Sequence, residues 1–220
     1  MLVKKISFAL LVCVFAFSSI QAQQHTDPEY IRVTNERAAK IVSELNLNNT
    51  EKETAVTNII GQQYRNLSKI QEERNISIEA VKADNLSEEK QNRTIEKVKA
   101  KADKSINKLH KSYLKKLGKQ LTETQIEGVK DGMTYGVLPK TYQAFLDMIP
   151  SLTQEQKTYI YNNLKEAREH AMDGGSSKEK HAWFGKYKGR INNYLSAQGY
   201  DLQKERDGWY QRIEDQKKAE

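Results

Sequence analysis

Four titratable side chains are spaced to meet near one point of the chain. Glu166, His170 and Asp173 recur four and three residues apart, which puts them on one face of a helix, and His181 follows across Gly174-Gly175. If those glycines turn the chain back on itself, the four groups converge at the end of a hairpin. Two imidazoles with one or two carboxylates could hold a metal ion or do acid–base work. No nucleophile accompanies them, so capping and ion pairing with Arg168, Lys178 and Lys180 is the plainer expectation. No catalytic residue, metal or cofactor is assigned.

A second set of residues suits carbohydrate. A pyranose offers an apolar C–H face and a rim of hydroxyls, which flat rings and planar hydrogen-bonding groups recognise together. Trp183, Phe184, Lys186, Tyr187, Arg190, Asn192, Asn193 and Tyr194 supply both kinds within twelve residues. At about 100° per residue, Trp183, Tyr187 and Tyr194 share one face and Lys186, Arg190 and Asn193 another, so one helix does not aim them all at one ligand. Core packing is expected for the first three. His170, Asp173, His181, Phe184, Lys186, Arg190, Asn193 and Trp209 remain as candidate ligand contacts.

The third set is cationic. Between Lys90 and Lys119 there are eleven basic residues against two acidic ones, Glu96 and Asp103. Lys97, Lys101, Lys104, Lys108, Lys111 and Lys115 fall on one side of a helix whose other side carries Ile95, Val98, Ala102, Ile106, Leu109, Tyr113 and Leu117. Such a stripe attracts polyanions, and the alternative is a solvated face that keeps a long hairpin soluble.

These residues need helices to position them, and the composition suits helices. The chain has 220 residues, 37% hydrophobic and 30% charged, with 11 Gly and only 3 Pro, which disfavours a turn-rich β-sandwich or barrel. Lys4 and Lys5 precede an apolar run that ends in Ser18, Ser19 and Ala22, the pattern of a signal peptide spanning residues 1–22. That run is too short to cross a bilayer, and no transmembrane segment is expected elsewhere. Export leaves 34 basic and 29 acidic residues and no cysteine, since Lys4, Lys5 and Cys13 all leave with the signal. Thiolate chemistry and disulfides are thereby excluded. A periplasmic or extracellular address disfavours nucleic acid, and no aromatic residues interleave with the lysines to stack bases. Acidic polysaccharide or a lipopolysaccharide surface is the expected partner if the stripe has one. The oligomeric state is left open.

Asp27-Pro28 opens a first helix, Thr50 with Glu53 reads as a capping box for a second of more than 30 residues, and Leu86-Ser87-Glu88 restarts the chain into a third. The aromatic residues mark a second region, since twelve of them lie between Tyr135 and Tyr210. The expected organisation is a long-helix region over 23–120 and an aromatic-rich helical subdomain over 121–220, an all-α fold in which the two could also form one continuous domain. In the second region short helices are expected over Thr141–Ile149, from Leu152 to Gly174, from Ser176 to Gly199 and over Leu202–Ile213.

Two phrases, Leu121-Thr122-Glu123-Thr124-Gln125 and Leu152-Thr153-Gln154-Glu155-Gln156, are similar to the Leu-Thr-x-x-Gln motif of periplasmic helical chaperones of the Spy and CpxP type. A longer likeness covers residues 30 to 205. Asp131-Gly132-Met133-Thr134-Tyr135-Gly136-Val137, Ala167-Arg168-Glu169-His170-Ala171-Met172-Asp173 and the run from Glu179 to Leu195 resemble a secreted family catalogued as a domain of unknown function, number 3826, described only as a candidate sugar-binding family. The resemblance implies a non-catalytic carbohydrate-binding or accessory role in glycan utilisation and brings no catalytic residues. The shorter likeness implies an envelope-stress chaperone instead.

Overall fold

The computed structural model describes residues 27–219, so the expected signal peptide lies outside the described residues. They form eight α-helices and no strand, as the composition implies. They divide into two compact units, one ending at Leu121 and the other beginning at Thr122.

In the first unit, α1 (Pro28–Ser43) is capped by Asp27, whose carboxylate accepts the Glu29 N–H at 2.9 Å, with Pro28 at the first helical position. Asn46 and Asn48 take left-handed backbone angles, which asparagine tolerates better than most residues. The capping box expected of Thr50 and Glu53 does not form. Asn49 caps α2 (Thr50–Ala83) instead, its side chain accepting the Lys52 N–H at 2.8 Å, because asparagine is an equally good cap one residue earlier. At 34 residues α2 is about 50 Å long. The chain then folds back into α3 (Glu88–Leu117), and Gln91 closes the turn by donating to the Val81 and Lys82 carbonyls in the last turn of α2.

Both α1 and α3 pack on α2. Two neighbours require α2 to offer two faces. Gly61 and Arg65 meet α1, while Val56, Ile60, Gln63 and Leu67 join the core with Ala38, Ile41 and Val42 of α1 and Ala102, Tyr113 and Leu117 of α3. From Glu72 to Lys101, around the hairpin turn, no residue is fully buried. There the two helices have only each other, and Ile76 and Leu86 are exposed.

The second unit opens with α4 (Glu123–Met133), and both expected Thr-Gln capping boxes form: Thr122 with Gln125, and Thr153 with Gln156 at the start of α6 (Gln154–Ala171). Between them, α5 (Val137–Met148) starts four residues before the expected Thr141, because Pro139 sits in its first turn, where a missing N–H costs nothing. Ser176 caps α7 (Ser177–Ala197), whose chain leaves through left-handed Gly199. The last helix, α8 (Leu202–Ala219), outruns the expected Ile213. Phe145, Ile149, Ile160, Leu164, Ala167, Phe184, Ile191 and Leu195 form the centre of a core to which α5, α6 and α7 contribute.

Candidate functional site

The α6–α7 hairpin assembles most of the candidate residues, though not in the arrangement their spacing suggests. His170, Asp173 and His181 do not converge. The His170 ring lies on the Trp183 ring, centroids 4.3 Å apart and 16° from parallel. His181 turns the other way, its ring 6.0 Å from that of Tyr135 in the α4–α5 turn. Glu166 lies 3.5 Å from Arg190. Asp173 lies near Lys180, whose ammonium donates to the Met172 carbonyl at the end of α6. Among the described residues no group of three metal-ligating side chains comes together. The glycine turn does form, but residues three and four apart fan across a helix face wide enough for each to find its own neighbour.

Lys186 and Arg190 were expected on a face apart from the aromatic residues. Their side chains span the gap: Lys186 Nζ lies 5.1 Å from the Trp183 ring centroid and the Arg190 guanidinium 4.5 Å from that of Tyr187, three residues back in each case. Arg190 also reaches Asn163 Oδ1 at 3.5 Å. Burial, together with the Glu166 carboxylate, pushes the Tyr187 hydroxyl above its ordinary pKa. The result is a strip of polar groups along the hairpin around the half-buried Trp183, with His170, Glu166, Lys186 and Arg190 exposed; Tyr187 itself lies in the core and Trp183 and Tyr194 pack against it, as expected of all three. Tyr159 and Tyr194 extend the strip, stacked at 3.8 Å.

Phe184 is 1% exposed and belongs to the core, so its ring is closed to any ligand. Asn193 is exposed on the outer side of α7. Gly185 and Gly189 lie near it at helical spacing, and a methyl group at either would meet no atom within 4 Å. Trp209 is half-buried in α8, its ring 5.7 Å from that of exposed Tyr210.

The Arg168 cluster was missed. Arg168 was expected to pair near the glycine turn, yet its side chain is 1% exposed and reaches α4, bonding Asp131 at 2.6 Å and Glu127. Lys130 completes the group with Glu169 at 2.8 Å and Glu127 at 3.1 Å. Burial would push the Glu127 carboxyl up, but the bonds from Arg168 and Lys130 overturn this and hold it below its ordinary value. Glu127, Lys130 and Asp131, three and four apart, were the available signal. The adjoining turn is unusual as well: Tyr135, an exposed residue, has φ 61°, and the Gly136 N–H bonds back to the Asp131 carbonyl. A non-glycine residue in that region is strained.

In the first unit Lys97, Lys101, Lys104, Lys108, Lys111 and Lys115 are all exposed, and none forms an ion pair among the described residues. Arg93 and Lys99 pair with Glu89 and Glu96 nearer the hairpin turn. The six lysines therefore form an unneutralised stripe along α3. No helix among the described residues is long and apolar enough to cross a membrane.

No protein of curated function matches the chain. The family described as "Protein of unknown function (DUF3826)" matches residues 31–215, from within α1 to within α8 and so across both units, and the chain belongs to that family.

Proposed function

We propose that this is an exported, non-catalytic carbohydrate-binding protein that engages glycan through the α6–α7 surface. The observation that carries the reading is the Trp183 strip: a half-buried indole held by His170 at 4.3 Å and Lys186 at 5.1 Å, with the exposed Arg190 guanidinium beside it, seated over the buried Tyr187 ring. Rings fixed in this way lose little freedom on binding, and their polar neighbours are oriented before a ligand arrives. Gly185 and Gly189 support it, since they leave bare helix beside Asn193 where a sugar ring can approach the backbone. Titration with neutral and acidic polysaccharide oligomers, followed by calorimetry and by indole emission from Trp183 and Trp209, the only two tryptophans, tests it. Binding that weakens about tenfold in Trp183→Ala or Arg190→Ala supports the surface. Absence of any binding at millimolar oligosaccharide sinks it.

A second reading has its own support. The outer part of the α2–α3 hairpin exposes Ile76 and Leu86 within reach of a cationic helix, a combination that suits transient capture of unfolded clients. A periplasmic chaperone of that kind suppresses aggregation of an unrelated protein in a salt-sensitive way, and Ile76→Ser with Leu86→Ser abolishes the effect. A protein with no such activity is no chaperone.

A further inference from the structure

The first unit contains a polar cleft separate from the α6–α7 surface, and its chemistry begins with a buried cation. Arg65 is 8% exposed, and no carboxylate pairs with it among the described residues. Its guanidinium donates to Thr34 Oγ1 at 2.6 Å, Asn35 Oδ1 at 3.0 Å and Gln62 Oε1 at 3.2 Å. A guanidinium has only donors, so both amides must present oxygen to it, which decides what their nitrogens do. Asn35 Nδ2 donates to Asn58 Oδ1 at 3.2 Å, and Gln62 Nε2 donates to Asn66 Oδ1 at 2.8 Å. Two relays thus run outward from Arg65, and each ends on an asparagine whose oxygen is occupied and whose NH2 group is left over. Gly61 makes the arrangement possible, since a Cβ there would lie 2.1 Å from Asn35 Oδ1.

Asn58, Gln62 and Asn66 line a cleft of about 200 Å³ between α2 and α3. Gln63 borders it too; this side chain is 2% exposed, and its buried Nε2 has no hydrogen-bond partner. Buried donors in folded proteins are nearly always satisfied. From α3, Lys116 adds an ammonium group, and Leu109 and Tyr113 supply an apolar wall. What the amides and the lysine leave to a visitor is donors: Asn58 Nδ2, Asn66 Nδ2 and Lys116 Nζ, with the unpartnered Gln63 Nε2 buried at the cleft's edge.

We propose that this cleft binds one carboxylate-bearing pyranose unit, a uronate residue of an acidic glycan. A lining rich in spare donors favours acceptor oxygens, and therefore a carboxylate over a ring bearing hydroxyls alone. The volume suits a single sugar ring, and a bare oxyanion would leave the wall of Leu109 and Tyr113 without a partner. Lys108, Lys111 and Lys115 each precede a cleft residue of α3 by one position, so an acidic chain leaving the cleft meets further ammonium groups. The inference stands apart from the α6–α7 reading, because the two sites share no residue.

The test is calorimetric titration of the full secreted chain with tetragalacturonate, with a neutral galactose tetramer and with sulfate, alongside Gln63→Leu, Asn66→Ala, Lys116→Gln and Trp183→Ala. Tetragalacturonate is expected to bind at least tenfold tighter than the neutral tetramer. Gln63→Leu should weaken it tenfold or more while leaving the melting temperature unchanged or raised, because the orphaned donor is removed. Asn66→Ala and Lys116→Gln, which alter less buried positions, should each cost at least threefold and carry the test should Gln63→Leu fail to fold. Trp183→Ala should leave this binding intact. Equal affinity for the neutral tetramer, full displacement by equimolar sulfate, or indifference to the α2 and α3 variants would overturn the proposal. Loss of tetragalacturonate binding in Trp183→Ala alone would also overturn it and would place acidic glycan on the α6–α7 surface.

Discussion

Lys180 stands at the closed end of the α6–α7 hairpin, buried against Gly174 and donating to the Met172 carbonyl at 3.2 Å. Burial lowers its pKa to about 8 from 10.5, against the opposing pull of Asp173 and Glu179. Below pH 8 both folded and unfolded chains hold the proton, and the fold bears the cost of a desolvated ammonium. Between about 8 and 10.5 the unfolded chain keeps a proton that the folded chain has released, so stability rises with pH across that window. Tyr187, with its pKa raised, stays neutral through most of it. The gain is at most about 3 kcal/mol, from about 1.4 kcal/mol per pKa unit. Chemical denaturation at pH 7.5 and pH 10 should show the increase in the native protein and a flat response in Lys180→Met. This lysine could not be singled out in advance, because its spacing is that of any surface cation. Its burial follows from the turn at Gly174, where an added methyl would meet the Lys180 side chain and backbone at 3.1 and 3.3 Å.

Between elements, the Arg168 cluster joins α6 to α4 through charges that could not stand alone. Replacing Arg168 by methionine leaves Glu127 and Asp131 partly buried without their main counter-charge, and the expected loss is about 3–5 kcal/mol in urea unfolding. Adding Glu127→Gln and Asp131→Asn to that variant should restore much of the loss; no recovery would mean that packing, not charge, makes the contribution. Helix starts were legible because a cap is local: Thr122 with Gln125 and Thr153 with Gln156 sit where their spacing put them. The Thr50 box fails for the same reason, since neighbouring good caps compete within one turn and Asn49 takes the position. Pairings between helices were not legible. Nothing in the order of residues says that Arg168 passes over its own hairpin to α4, or that Arg65 lies between Thr34 and Gln62. The same limit hid the cleft: Asn58, Gln62 and Asn66 read as ordinary surface amides until α3 supplies the opposite wall.

At the scale of the whole chain, the all-α reading and the contrast between a long-helix region and an aromatic one followed from composition. Few helix breakers and segregated rings constrain architecture more tightly than they constrain chemistry. Stability is distributed unevenly within the first unit. The stretch from Glu72 to Lys101 buries nothing fully, whereas Val56–Gln71 and Ala102–Leu117 hold the core. Amide hydrogen exchange should be at least roughly tenfold faster in the former stretch than in the latter two. Uniform protection along α2 would show instead that the outer hairpin is covered in solution. The lysine stripe has a consequence of a different kind. Its charges follow one another about every 5 Å along α3, closer than the screening length of about 8 Å at physiological salt. At that separation they act together as a line charge, so the helix edge gathers small anions from solution, and any polyanion that docks there displaces them. Association along this edge should therefore be driven by the entropy of released ions and should fade steeply as salt is raised.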